Sequence, residues 1–139
     1  MTPNRPACIP DGFELTPPRG PFTGVNGPLW KKPGGAGELP VFGFLPEERH
    51  TNGLGFVHGG MVATFLDTAM AQTIFEQFGS RLVTLKLEVT YLNVVPKGRW
   101  CEADVRLETR AGNSLNASAD FVARGQICAS SKATFKLFL

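Results

Sequence analysis

Apolar positions in residues 60–78 recur every three or four residues. Val62, Phe65, Leu66, Ala69, Met70 and Thr73 form one stripe, the spacing of a helix with one buried face. A second stripe, Gly60, Ala63, Thr64, Asp67 and Ala71, is small apart from the aspartate, so another backbone or a thin ligand can approach closely. Gly79-Ser80 ends the helix. The period then changes to two. Val83, Leu85, Leu87, Val89 and Tyr91 alternate with Thr84, Lys86, Glu88 and Thr90, and Pro96-Lys97-Gly98 reads as a turn. Cys101, Ala103, Val105 and Leu107 alternate with charged residues up to the turn at Ala111-Gly112-Asn113-Ser114. Leu115, Ala117, Ala119 and Phe121 follow, then Arg124-Gly125, then Ile127, Ala129, Ser131, Ala133, Phe135 and Leu137. Short links between four alternating runs predict a four-strand meander after one long helix. Wrapping that sheet around the helix gives an α+β domain.

The first part of the chain is written differently. Ten of the eleven prolines and half of the sixteen glycines lie within residues 1–50. Residues 1–45 are therefore expected to be a mostly irregular N-terminal arm, with short extended pieces around Pro21–Val25 and Leu39–Leu45, and residues 46–139 the folded domain. The arm either wraps the domain or covers a pocket as a lid. At 139 residues the chain is long enough for one domain burying roughly two-thirds of its unfolded surface.

Charge narrows the function classes. The net charge is +2 with both signs interspersed, which argues against a nucleic-acid binder and its clustered basic face. The three cysteines, Cys8, Cys101 and Cys128, are odd in number and far apart; they fit a reduced compartment, with Cys101 and Cys128 as small buried side chains. No Cys/His cluster has zinc spacing. The stretch Met1–Pro6 lacks the apolar core of a signal peptide, and nothing approaches the ~20 apolar residues of a membrane helix. A cytoplasmic protein is expected.

The candidate chemistry lies in His58-Gly59-Gly60-Met61-Val62-Ala63-Thr64-Phe65-Leu66-Asp67. A helix N-terminus presents unpaired N–H groups and a partial positive charge, able to hold a developing oxyanion. A carboxylate inside an apolar segment is costly unless it has a partner or a task. Together these are the parts of an acyl-transfer or hydrolysis site. Gly59 and Asp67, however, are eight residues apart, roughly 12 Å along one helix. Contacts in catalysis need about 3 Å. If both act on one substrate, an antiparallel helix must bring the second group, and no second long helix is visible. The partner is then another copy, in a two-fold homodimer. Alternatively, the helix is only core and a nearby hydroxyl such as that of Thr64 satisfies Asp67.

At these residues the chain resembles the hotdog-fold acyl-CoA thioesterases of the PaaI-like branch. The similarity is carried by Asn52-Gly53-Leu54-Gly55-Phe56-Val57-His58-Gly59-Gly60, by Asp67-Thr68-Ala69, and by the strand end Val89-Thr90-Tyr91. It covers about residues 48–139. The resemblance implies a long helix wrapped by a curved antiparallel sheet, assembled as a homodimer or dimer of dimers. It implies hydrolysis of an acyl-CoA thioester, with no metal and no redox cofactor, only the CoA of the substrate. The Gly59 backbone N–H would stabilise the oxyanion, and Asp67 of the other subunit would be nucleophile or general base. Asn52 would orient the water or the carboxylate, His58 would position the loop, and Thr84 would help hold the water.

Gly60, Phe65, Arg110, Asn113 and Ser114 are candidates for substrate binding, Phe65 against an acyl chain and Arg110, Asn113 and Ser114 at the CoA phosphates. Phe65, Phe75, Phe78 and Trp100 read either as the lining of an acyl pocket or as core, and Arg81, Arg110 and Lys132 either as contacts to the CoA phosphates or as solvated charge. His50 has no third ligand beside His58 and reads as a surface or loop histidine. A non-catalytic acyl-CoA-binding or regulatory hotdog module is the alternative. It has no use for a buried carboxylate, so the Asn52/Gly59/Asp67 set favours the enzyme. A hotdog dehydratase would need a His and Glu/Asp arrangement that this chain lacks.

Overall fold

The computed structural model describes residues 6–138; the opening residues 1–5, read above for a targeting signal, and the final residue lie outside it. Three short strands come first: β1 (Glu14–Leu15), β2 (Trp30–Lys32) and β3 (Val41–Phe44), with helix α1 (Pro21–Asn26) between β1 and β2. Helix α2 (Gly59–Phe78) follows, then the long strands β4 (Arg81–Tyr91), β5 (Cys101–Ala111), β6 (Ser114–Ala123) and β7 (Gln126–Phe138). All seven strands form one antiparallel sheet in the order β1-β2-β3-β5-β6-β7-β4. This is the hotdog arrangement of a long helix against a curved sheet.

Helix α2 is fixed at both ends by the residues that mark it in the sequence. The His58 imidazole caps its start, accepting from the Gly60 N–H at 2.8 Å. Gly79 closes it in the left-handed conformation at φ 63°, and its N–H reaches the Phe75 carbonyl at 2.8 Å. Val62, Phe65, Leu66, Ala69, Met70, Thr73 and Ile74 are buried against the sheet. The sheet meets them with small residues. Ala103, Ala117, Ala119, Ala129 and Ala133 are buried on its inner face and let the helix lie close. The rings of Phe44, Phe65 and Phe121 pack in sequence across this core, at 5.4 Å and 5.5 Å between centroids.

The strands depart from the expected meander. β5, β6 and β7 are joined by tight hairpins, but β4 pairs with β7, from Arg81↔Phe138 to Tyr91↔Ala129. The Ser80 hydroxyl donates to the Phe138 carbonyl at 3.1 Å and sets this pairing where the helix ends. The link from β4 to β5 is no hairpin. Its backbone joins the loop before α2 instead: the Val57 N–H donates to the Val95 carbonyl at 2.8 Å, and Phe56 bridges Pro96. β4 is thus an edge strand with one side unpaired.

The alternation read along β4 also fails midway. The register with β7 shifts between Thr84 and Lys86, which leaves Leu85 as the extra residue of a bulge. Before it, Leu82 packs on the core and Thr84 meets the helix; after it, Leu87 and Val89 pack inward. Val83 and Leu85, expected on the buried face, are 46% and 60% exposed, because one inserted residue exchanges the faces of a strand.

Within residues 1–45, Pro21–Val25 lies in helix α1 rather than in an extended piece, its start favoured by Pro21 in the first turn. Leu39–Leu45 does hold a strand, β3, which pairs with β5 and buries Phe42 and Phe44 in the core. On the outer face Ile9, Phe13 and Trp30 form a second cluster with Val41 and Trp100. Gly43 makes room there: a Cβ would lie 2.1 Å from the Trp100 ring. Trp100 belongs to this outer cluster, not to the main core.

Candidate active site

The loop entering α2 is held by a buried histidine. His50, expected at the surface, is only 3% exposed. Its Nδ1 accepts from the Glu47 N–H at 2.9 Å, its Nε2 lies 3.1 Å from the Asn26 carbonyl, and the Phe44 ring meets it edge-on. Burial first, then the Arg49 charge, lowers its pKa and favours the neutral ring. Neutral His50 accepts at Nδ1 and donates from Nε2, which ties the loop to the last residue of α1. The His58 N–H then donates to the His50 carbonyl at 2.8 Å.

Asn52 shapes the next turn. Its side-chain oxygen accepts from the N–H groups of Leu54 at 2.9 Å and Phe56 at 3.2 Å. That oxygen is therefore committed to the loop, and the amide NH₂ is the end left to meet a ligand.

Three of the first four helical N–H groups are already used. Gly60 donates to the His58 ring, and Met61 and Val62 donate to the His58 carbonyl at 2.8 and 3.0 Å. Among the described residues the Gly59 N–H has no partner. The Tyr91 hydroxyl donates to the Gly59 carbonyl at 2.6 Å and holds that peptide from the sheet side. Asn52, Phe56, Gly59, Val62, Tyr91 and Val95 line a mostly apolar groove of about 500 Å³, within the usual range for small-molecule sites. Gly60 stands just behind, where a Cβ would lie 3.0 Å from His58 Nδ1.

Asp67 is not in this groove. It lies two turns further along α2, where the Thr84 hydroxyl donates to its Oδ1 at 2.7 Å. Burial raises the Asp67 pKa above its ordinary value, and the Thr84 hydrogen bond opposes that rise. Asp67 therefore does have a hydroxyl partner, but from Thr84. Thr64 instead donates to the Gly60 carbonyl at 2.8 Å. The bulge at Leu85 is what turns Thr84 towards the helix. One chain thus holds the candidate residues in two separate groups: Asn52, Gly59 and Tyr91 at the groove, and Asp67 with Thr84 roughly 12 Å along the same helix.

The other candidate residues lie elsewhere. Phe65 is fully buried between Phe44 and Phe121, in the core rather than at the groove wall. Arg110, Asn113 and Ser114 sit around the β5–β6 hairpin. The Arg110 guanidinium lies 5.1 Å from the centre of the Phe78 ring, and the Asn113 carbonyl accepts from the Leu137 N–H at 2.7 Å. Phe78 is at the opposite end of α2 from Gly59, about 28 Å along the axis, so no single protomer brings these three to the groove. Tyr91, which lines the groove, is not among the candidates that the sequence offers. Its place at the end of an alternating strand gives no sign of a bond to a glycine thirty-two residues earlier. Among the described residues no three His, Cys, Asp or Glu side chains converge as a metal would require, and no helix is long and apolar enough to cross a membrane.

Comparison with known proteins adds to this geometry. The family model described as thioesterase superfamily matches residues 54–129, over half of the chain. A Pseudomonas aeruginosa protein named "putative esterase" is 25% identical over 131 residues, which is 93% of this chain and 97% of that protein. A variant of the phenylacetic acid degradation protein PaaI from Thermus thermophilus is 20% identical, with a TM-score of 0.72 over 86% of this chain and all of that one. A Bacillus halodurans protein solved with CoA is 24% identical, with a TM-score of 0.66 over 70% of this chain and 66% of that one.

Proposed function

Because the chain belongs to the thioesterase superfamily, we propose that it hydrolyses acyl-CoA thioesters at sites shared between two copies of itself. The observation that carries this reading is the division of labour along α2. An unpartnered N–H at Gly59 opens on an apolar groove, while the carboxylate that could attack is held at Asp67, too far away to meet the same carbonyl. Two such helices laid antiparallel across a two-fold axis would bring each Asp67 to the other copy's Gly59. The unpaired edge of β4 supports this assembly. It runs beside both half-sites and exposes Val83, Leu85 and Tyr91, a combination that monomers normally blunt.

In such a dimer the thioester carbonyl oxygen accepts from the Gly59 N–H, and the helix terminus stabilises the charge that develops there. Asp67 of the other copy removes a proton from water, hydroxide adds to the carbonyl carbon, and the C–S bond breaks to release CoA thiolate and the free acid. In the nucleophilic variant the carboxylate adds first, the C–S bond breaks to expel CoA thiolate, and water cleaves the resulting mixed anhydride to the free acid and the regenerated carboxylate. A raised pKa suits the first route, making Asp67 a stronger base. Thr84 positions the carboxylate, and the Asn52 amide faces the reacting centre from the groove. Thiolate is a good leaving group, so a carboxylate and a fixed donor can suffice without a Ser-His-Asp triad.

The test is thiol release from a panel of aryl and aliphatic acyl-CoA esters, followed with a thiol-reactive dye. Turnover of at least one ester, abolished in Asp67→Ala with the oligomer intact, is the expected result. CoA-ester binding without thiol release by the wild-type protein would instead make it a non-catalytic module.

A further inference from the structure

The apolar groove does not end at Val95. A second cavity of about 290 Å³ shares Val94, Val95 and Cys128 with it and is lined in addition by Arg99 and Arg124. The two arginines come from different elements: Arg99 from the link into β5, Arg124 from the β6–β7 hairpin. No carboxylate lines this cavity, and among the described residues neither arginine has an ion-pair partner. Lys97, just before Arg99 in sequence, is by contrast paired with Glu48 at 3.6 Å.

Arg124 is unusual for its position. It has φ 51° and precedes Gly125 at φ 71° in a two-residue hairpin turn. Such turns favour Asn, Asp or Gly at the first position, because a long side chain there strains the left-handed backbone. An arginine kept in that conformation at a cavity mouth is the kind of outlier that marks a ligand contact.

We propose that Arg99 and Arg124 bind the phosphate groups of CoA and so make the enzyme selective for CoA esters over shorter thioesters. The inference rests on the thioesterase reading of the adjoining groove. Guanidinium forks match phosphate oxygens in pairs, and the apolar groove between them and Gly59 suits a largely uncharged linking arm. This assigns the phosphates to the β6–β7 end of the sheet, not to the Arg110-Asn113-Ser114 hairpin.

The experiment compares one acyl group carried on CoA, on 3′-dephospho-CoA and on pantetheine, in the wild type and in Arg99→Gln, Arg124→Asn and the double variant. Asn suits the turn at position 124, so folding is preserved. Each single change is expected to raise KM for acyl-CoA about three- to tenfold, with little change in kcat. In the double variant the kcat/KM ratio of acyl-CoA to acyl-pantetheine falls towards one, and the salt dependence of KM for acyl-CoA flattens. The dephospho ester shows which phosphate is read. Equal losses on acyl-CoA and acyl-pantetheine overturn the proposal, as does an effect that appears only with acyl groups ending in a carboxylate. Titration of CoA itself separates this result from failure of the thioesterase reading. Arginine-dependent CoA affinity without hydrolysis would leave the phosphate site standing and remove the reaction; hydrolysis indifferent to both arginines would do the reverse.

Discussion

Asp67→Asn separates the chemistry of α2 from its stability. The substitution keeps the shape of the side chain and an oxygen for the Thr84 hydroxyl at 2.7 Å, while removing the charge. Loss of a positioned base lowers kcat on the order of 10²- to 10⁴-fold. Stability moves the other way. Asp67 has its folded pKa raised above the ordinary 3.8 by burial, so its charged form is disfavoured in the folded state. The stability contributed by its protonated form is fully present below pH 3.8 and is lost as pH rises through the folded value. At pH 7 the asparagine variant should melt no lower than wild type, and higher wherever burial outweighs the hydrogen bond. The two curves should converge in acid. The neighbouring Leu66 provides the contrast: it is fully buried, and Leu66→Ala should cost about 2–5 kcal/mol, lowering Tm by roughly 5–20 °C in a domain of this size. Calorimetry from pH 3 to pH 8, alongside acyl-CoA turnover, reads both effects. An Asp67→Asn protein that keeps its kcat, or melts several degrees lower at pH 7, refutes the assignment of Asp67 as a strained functional carboxylate.

Further outcomes follow from the same geometry. The wild-type kcat/KM should fall on the acid side as Asp67 takes up a proton, with the limb displaced above 3.8 and moved further up in Thr84→Val, which loses the opposing hydrogen bond. Tyr91→Phe frees the Gly59 carbonyl and should lower kcat/KM by up to about tenfold, with the fold unchanged by circular dichroism. Gly60→Ala drives a Cβ to 3.0 Å from His58 Nδ1, so the cap should loosen at a cost of about 1 kcal/mol, seen as a lower midpoint in urea.

The parts of this fold that local rules govern were legible in the sequence. Helix α2 follows from the 3.6-residue spacing of Val62 to Thr73 and from the residues at its two ends, His58 and Gly79. The β5–β6–β7 meander follows from alternation and from glycine in both turns. Long-range choices were not legible. Nothing near β4 says that its neighbour is β7, because that pairing is set 58 residues beyond Ser80, at Phe138. The alternation from Val83 to Tyr91 is unbroken in the sequence, and the bulge leaves no mark because the inserted Leu85 continues the apolar series from Val83 to Leu87. That bulge nevertheless decides the site, since it aims Thr84 at Asp67 and leaves Tyr91 facing Gly59. The groove and its arginines were hidden for the same reason: Arg99 and Arg124 meet only once the β4–β5 link and the β6–β7 turn are folded together.

The claim that each reaction centre needs two protomers is tested most directly by complementation. Asp67→Ala removes the carboxylate, and Gly59→Val sets a branched side chain against Tyr91 at the groove. Each should be inactive as a homodimer. Co-expressed with different tags and purified as a mixed dimer, the two variants leave one centre with both an intact Gly59 and an intact Asp67. That dimer should recover about half of the wild-type turnover per dimer. A mixed dimer as inactive as its parents, or a wild-type monomer that turns over at full rate, would contradict the shared site.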